Sequence, residues 1–456
     1  MADEKRPNIV FILSDDQGPW AANCLGCHEL ITPNLDRLAA EGMRFSNFFC
    51  ASPVCSPSRA SFATGRIPSQ HGVHDWLRPE GHHMDYMKDE VMYTDVLAEG
   101  GYHCGFSGKW HCGDAKEKQH GFDFWFSHQW GGGHYMKPDV FRDGEAVTEN
   151  QYVTDLFTDE ALKYLKTREG SDQPFYLGVH YTAPHSPWTA EHHPQEYLDL
   201  YADCAFETCP QGETHPWAGS LTKHAHGKRE MLVGYFAAIT AMDAQIGRIL
   251  DTLDAMGVAD NTLVVFASDN GFSCGHKGFW GKGNATRPIN MFENSVRIPF
   301  IARHPARIPA GAVCEAMVSA YDFMPTLLDY VGLPCPTEAG NLPGQSVVPL
   351  FEGAPGEGRD DVVVHDEYGY VRMVRTRDWK YIHRYPDGPH ELYHLAADPT
   401  EDHNLVAAPA QAAQVAAMRG RLESWFDQYA TTEQDGRQFP VTGEGQPYPN
   451  YLPPRA

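Results

Sequence analysis

Three short runs of unbroken apolar residues punctuate the chain. They are Asn8 to Ser14 (Asn-Ile-Val-Phe-Ile-Leu-Ser), Pro174 to His180, and Thr262 to Ser268 (Thr-Leu-Val-Val-Phe-Ala-Ser). Each is shorter than a helix and rich in β-branched and aromatic residues, which predicts strands buried on both faces. Between them the spacing changes. Met231, Tyr235, Ile239, Met242, Ile246, Ile249 and Leu253 recur every three or four residues and predict one long core helix over 228–257. Thr32 to Gly42 carries an N-cap residue, a proline at the first position and a closing glycine, so it predicts a second helix. Further strands are expected at Arg44 to Phe49 and His103 to Ser107. Further helices are expected from near Pro57, ending at Gly100, and over Tyr321 to Gly332.

The pattern changes after the Gly/Pro/acid-rich linker Gly353 to Arg359. Val371 to His383 reads as a hairpin turning at Arg377-Asp378, and Pro409 to Tyr429 as an amphipathic helix. We therefore divide the chain at 1–360 and 361–456. The Pro/Gly-rich tail from Gln438 reads as disordered, or as an arm laid on a neighbouring copy, which would make the protein a homo-oligomer. No internal repeat is visible.

Composition narrows the function. The chain has 456 residues and a net charge of −24, which argues against nucleic-acid binding and against attraction to anionic membranes. No apolar run approaches the length of a membrane span. The first residues lead into a strand with no basic start or cleavage site, and the eleven cysteines follow no framework spacing; the expectation is a cytoplasmic protein. Cys24 and Cys27 form an isolated CxxC without the second pair that a zinc or redox site would want.

Two predicted strands end on acids: Asp15-Asp16 after the first, Asp269-Asn270 after the third. A plain turn also favours Asp and Gly. Adjacent carboxylates repel, however, and carboxyl ends of strands in open α/β sheets are where ligands bind. Four oxygen donors select calcium or magnesium rather than zinc. Lys109 and His111 flank one residue, so in an extended segment they would share a face. Cys204 to His226 holds two cysteines and three histidines without clean zinc spacing, and reads as a loop at a substrate mouth. Trp76, Trp110, Trp130, Trp188 and Trp280 lie near these motifs and could wall a pocket or simply pack.

The most specific stretch is Cys55-Ser-Pro-Ser-Arg59, closing with Thr64-Gly65-Arg66. It resembles the signature of the type I sulfatases of the alkaline-phosphatase superfamily. Lys109-x-His111, the Pro-His-x-Pro of Pro184 to Pro187, and the strand-end acids resemble the same family over nearly the whole chain. The resemblance implies an α/β fold: a large, mixed, mostly parallel sheet with helices on both faces, then a smaller α+β subdomain with an antiparallel sheet. It implies that a maturation enzyme oxidises Cys55 to formylglycine (3-oxoalanine), one hydroxyl of whose hydrate attacks sulfur while the other later expels sulfate as the aldehyde re-forms. It implies a metal held by Asp15, Asp16, Asp269, Asn270 and the residue at position 55, with calcium ahead of magnesium or manganese. Arg59 would stabilise the nucleophile and Asp269 would take its proton. Lys109, His111, His185 and Lys282 would contact the sulfate, and His185 or Lys282 would protonate the leaving oxygen. Lys277 competes with Lys282 for its role, because Asn284 to Met291 is longer than in simple members. His180 is expected to pack or to orient a neighbour.

The expected activity is hydrolysis of a small aryl or sugar sulfate ester, arylsulfatase-like. A phosphonate monoester or phosphodiester hydrolase of the same superfamily is the alternative, and Lys109 with His111 counts against it. An inactive protein that binds sulfated ligands is the third reading; the filled catalytic positions oppose it.

Overall fold

Strand β1 (Asn8–Ser14) lies at the centre of an eleven-stranded sheet in the computed structural model. The structure describes residues 5–79, 83–336, 340–356, 358–366, 370–438 and 445–449. β2 is Met43–Phe49, β3 His103–Lys109, β4 Phe124–His128, β5 Asp139–Arg142, β6 Glu145–Thr148, β7 Phe175–His180 and β8 Thr262–Ser268. The central block β8-β1-β7-β3-β4 is entirely parallel. Antiparallel strands finish it: β5 and β6 beyond β4, and Phe300–Arg303 between β8 and β2. Strand Ala312–Ser319 runs parallel to β2.

Every residue of β1, β7 and β8 is buried, because helices cover both faces, as the unbroken apolar runs require. Along β1, Phe11 and Leu13 face one core with the helices Cys55–Thr64, Tyr93–Glu99 and Phe323–Tyr330. Val10 and Ile12 face the other, with Pro33–Glu41, Val153–Arg168 and Arg229–Ala255. All seven residues of the stripe on Arg229–Ala255 are buried.

The C-terminal strands Asp361–Asp366, Val371–Thr376, Trp379–Arg384 and Glu391–His394 pair antiparallel in chain order, with Arg377 and Asp378 in the predicted turn. Ala412–Tyr429 packs on the middle two strands. One apolar cluster joins Val363, Met373 and Leu422 to Phe45 and Phe62.

Three local expectations change. The helix foreseen near Pro57 begins at Cys55 itself, with its first turn closed by Ser58 N donating to Val54 O. Thr32 makes no side-chain cap. Asp243, on the long helix, accepts from Asn34 N (3.1 Å) and Leu35 N (2.7 Å) instead. In the tail, residues 445–449 lie against the rest of the chain, where Gln446 N donates to Trp76 O (2.9 Å). Residues 439–444 and 450–456 lie outside the described residues. No helix among the described residues is long and apolar enough to cross a membrane.

Candidate active site

The central strands aim their carboxyl ends at one point. β1 and β8 are in register to their last pair, Ser14 against Ser268, so Asp15-Asp16 and Asp269-Asn270 emerge side by side. Asp269 N donates to Ser14 O (3.1 Å), and Asp16 N donates to Asp269 Oδ1 (3.3 Å). Asp16 takes a left-handed backbone (φ 65°), costly for a residue with a Cβ and commonest where a site demands it. Carboxylate oxygens of Asp15, Asp16 and Asp269 lie within 4.8 Å of one another, and Asp15, Cys55 and His185 form a second such group.

Cys55 arrives in the first turn of its helix. Arg59, one turn on and 4% exposed, ties three elements together. Its Nε donates to Asp269 Oδ2 (2.9 Å), its Nη1 to Lys109 O (2.8 Å), and its Nη2 lies 3.5 Å from Asp15 Oδ2. The Lys109 ammonium bonds Asp15. Lys282 Nζ reaches Asp16 Oδ1 (2.5 Å), Cys55 Sγ (2.8 Å) and Asn270 Oδ1 (3.3 Å). His185 Nε2 stands 3.8 Å from Asp16 Oδ2.

Three buried carboxylates thus face three buried cations. Burial works to raise Asp15 and Asp16, but Lys109, His185 and Arg59 around the first, and Lys282 and His185 around the second, hold both below the ordinary carboxylate value. Asp269 goes the other way: burial and the Asp15 charge outweigh its cations and raise it. Burial opposes the charge on Lys282, yet Asp16, Cys55, Asp15 and Asp269 keep it charged. Burial pushes the Cys55 thiol up to about 12, so as a cysteine it is no thiolate at neutral pH.

Above Cys55 opens a cavity of about 580 Å³, lined at its floor by Asp16, Cys55, His111, His185 and Lys282. Its walls are largely apolar, with Trp76, Leu77, Trp130 and Phe272 among them. Trp188 also lines it, whereas Trp110 and Trp280 pack in the interior. Leu221 brings the predicted mouth segment to the rim, and among the described residues the histidines of that segment join no metal-ligating group.

Lys109 and His111 are brought together less directly than extended spacing implies. β3 runs on to Lys109, and at His111 the backbone turns left-handed (φ 54°). Lys109 lies fully buried behind the carboxylates, while His111 lines the cavity. Lys277 points away, its Nζ bonding Thr400 O, Glu401 O (both 2.8 Å) and Asp402 Oδ1 (2.6 Å); Lys282 alone of the two reaches the site. His180 packs edge-on against Phe11 and Phe106, and burial beside Arg59 keeps it neutral.

Residues 7–333 match the sulfatase family model, and residues 286–428 match the C-terminal model of N-sulphoglucosamine sulphohydrolase. The chain belongs to the sulfatase family. An N-acetylglucosamine-6-O-sulfatase from Bacteroides thetaiotaomicron is 29% identical over 96% of this chain and 89% of that protein. A protein solved in complex with its substrate D-glucosamine-2-N,6-O-disulfate superposes with a TM-score of 0.80 at 27% identity, covering 94% of this chain and 99% of that one. The fold is shared with a phosphonate monoester hydrolase of Agrobacterium radiobacter, TM-score 0.69 at 22% identity over 93% of this chain and 96% of that one.

This sulfatase is a sulfuric ester hydrolase with the alkaline-phosphatase-superfamily fold, and its donor set fits the metal that the family implies. Asp15 Oδ1 is buried without a hydrogen-bond partner, an expensive state for a carboxylate oxygen unless a cation takes it up. Sequence reasoning missed Gly131 to Gly133. A Cβ at Gly131 would sit 2.3 Å from the His111 ring, and one at Gly132 would sit 3.1 Å from His185. Bare backbone is needed there to close the cavity over both histidines. The run Trp130-Gly-Gly-Gly was the available signal.

Proposed function

We propose that this sulfatase cleaves sulfate monoesters with formylglycine, formed from Cys55, as nucleophile and calcium as the bound cation. The carrying observation is the setting of Cys55, at the cavity floor between Lys282 and the carboxylates, with its thiol pushed up to about 12. A thiol so protonated is a poor nucleophile. Conversion by a maturation enzyme supplies an oxygen nucleophile that can be released again as the aldehyde re-forms.

Asp15, Asp16, Asp269 and Asn270 would hold the cation, which when bound supplies Lewis acidity toward a sulfate oxygen; an all-oxygen set suits calcium ahead of magnesium or manganese. Arg59 fixes Asp269 and steadies charge at position 55. Asp269, raised by burial and Asp15, is suited to take the proton of the attacking hydroxyl. His111, His185 and Lys282 face the transferred group, with Lys109 setting the field behind it. Lys282, the cation against Cys55 Sγ, is our choice to protonate the leaving oxygen. The tryptophan-walled cavity suits a flat-faced leaving group, an aryl ring or the sugar of an ester such as glucosamine 6-sulfate. The test is a rate comparison across aryl sulfates, glucosamine 6-sulfate, a phosphodiester and a phosphonate monoester, with intact-mass analysis of the same sample. A phosphonate preference would favour the alternative hydrolase.

A further inference from the structure

The loop that follows Lys282 is closed by one side chain. Asn290 is 1% exposed. Its Nδ2 donates to Lys282 O, Gly283 O and Thr286 Oγ1, each at 3.1 Å. Its Oδ1 accepts from Ser295 Oγ (2.7 Å), and its backbone N donates to Gly283 O (3.2 Å). A single buried amide thus joins both ends of the loop and holds the Lys282 main chain.

The residues on either side of Asn290 are gripped from the C-terminal sheet. Arg384 donates through Nε and Nη2 to Ile289 O (3.1 and 2.8 Å), and Lys380 Nζ donates to Met291 O (2.9 Å). Both cations are buried and anchored in turn, Arg384 on Glu391 (2.5 Å) and Lys380 on Glu293 and Glu401 (2.7 Å each). Arg384 and Lys380 stand on one strand, Trp379–Arg384, four residues apart and therefore on one face. A lysine side chain is a long flexible stem; where its ammonium sits depends on where its main chain is held. At Gly283 a Cβ would already meet Pro53 at 2.4 Å, so the segment has little room to drift.

We propose that Asn290 is a positioning residue that sets Lys282 over the nucleophile, and that the C-terminal subdomain serves the reaction by holding Asn290 through Arg384 and Lys380. This rests on the reading of Lys282 as the group that protonates the leaving oxygen. A misplacement near 1 Å can cost about a hundredfold in rate. The cost here must depend on the leaving group, because a good leaving group departs without a proton.

The experiment measures kcat and KM for nitrophenyl sulfate and for phenyl sulfate, the poorer leaving group. Wild type, Asn290→Ala, Lys282→Ala and the double variant are compared, each normalised to its converted Cys55 by mass spectrometry. Asn290→Ala should lose about tenfold in kcat on phenyl sulfate and less than about threefold on nitrophenyl sulfate, with KM little changed. Lys282→Ala should lose more in the same sense, and the double variant no more than Lys282→Ala alone. Arg384→Lys, which keeps the charge but not the two-pronged grip, should show a smaller loss of the same kind. Equal losses on both substrates in Asn290→Ala, or additive losses in the double variant, overturn the proposal. Equal losses on both substrates in Lys282→Ala overturn the assignment of Lys282 itself, and the proposal with it. If Asn290→Ala does not fold, Asn290→Ser, which keeps a hydroxyl donor, carries the same expectations and the same refutation.

Discussion

Lys282 Nζ lies 2.8 Å from Cys55 Sγ, across 227 positions of sequence. The same ammonium touches Asp16 at 2.5 Å. One cation therefore borders both the nucleophile position and the carboxylate cluster, where it can meet charge developing on the leaving oxygen.

Conversion of Cys55 should be visible in active protein. The peptide containing it should be about 18 Da lighter as the aldehyde, and nearly unchanged as the hydrate. Cys55→Ala should lose at least about a thousandfold in kcat, the scale for removing a nucleophile. Full activity from a preparation whose Cys55 is wholly unmodified thiol would rule out formylglycine.

Metal binding should appear in stability as well as in rate, since a ligand held only by the folded state raises Tm. Calcium should raise the Tm of wild type. Asp15→Ala and Asn270→Ala should each blunt that rise and lower turnover, because each removes an oxygen donor. Stoichiometric zinc by elemental analysis, with activity surviving calcium chelation, would contradict the oxygen-donor assignment.

The two lysines of the His276-to-Gly283 stretch should separate cleanly. Lys282→Ala should cost about a hundredfold or more in kcat/KM. Lys277→Ala should leave kcat nearly unchanged and cost on the order of 1 kcal/mol of stability, since its bonds to Thr400 O, Glu401 O and the half-exposed Asp402 give way to water. Kinetics and thermal melts of both variants check this; the reverse order would return Lys277 to the site.

His111 and Lys109 should distinguish sulfate from phosphonate chemistry. His111→Ala and Lys109→Ala should each lower aryl sulfate hydrolysis by at least about a hundredfold, and aryl phosphonate hydrolysis by less. A sulfate monoester offers a free oxygen to His111 at the cavity floor and to the field of Lys109 behind the carboxylates, whereas a phosphonate monoester carries a substituent in place of one oxygen. The measure is kcat/KM on the paired substrates. A larger loss on the phosphonate would reverse the preference.

Asp243 gives a pH signature of folding. Burial lifts it from 3.8 to about 6 despite the bonds from Leu35 and Asn34. The folded state then binds its proton more tightly than the unfolded state. Its contribution is greatest below pH 4 and falls by about 3 kcal/mol as pH rises to 7. Asp243→Asn cannot titrate, so its stability deficit against wild type should shrink between pH 4.5 and pH 7 in denaturant melts. A constant deficit would mean that Asp243 does not titrate in that range.

Much of this protein is written locally. Continuous apolar runs marked β1, β7 and β8 because a strand covered on both faces admits few polar side chains. The acids directly after β1 and β8 were legible as one cluster because two parallel neighbours in register must end together. The turn at Arg377-Asp378 and the stripe on the long helix followed from periods of two and 3.6 residues. The Cys55-to-Arg59 signature named the chemistry.

Tertiary structure alone decided which side chains meet. His-Lys277-Gly and Gly-Lys282-Gly look alike as strings; the fold sends one to Asp402 and the other to Cys55. Trp76, Trp130 and Trp188 reached the cavity while Trp110 and Trp280 were spent on packing. Asp243 displaced Thr32 as a helix cap from 208 positions away from Leu35, and the C-terminal sheet took hold of the loop behind Lys282. Periodicity records only which face of an element is buried. Which partner waits there depends on how distant elements pack, and the dense interior fixes that to tenths of an ångström.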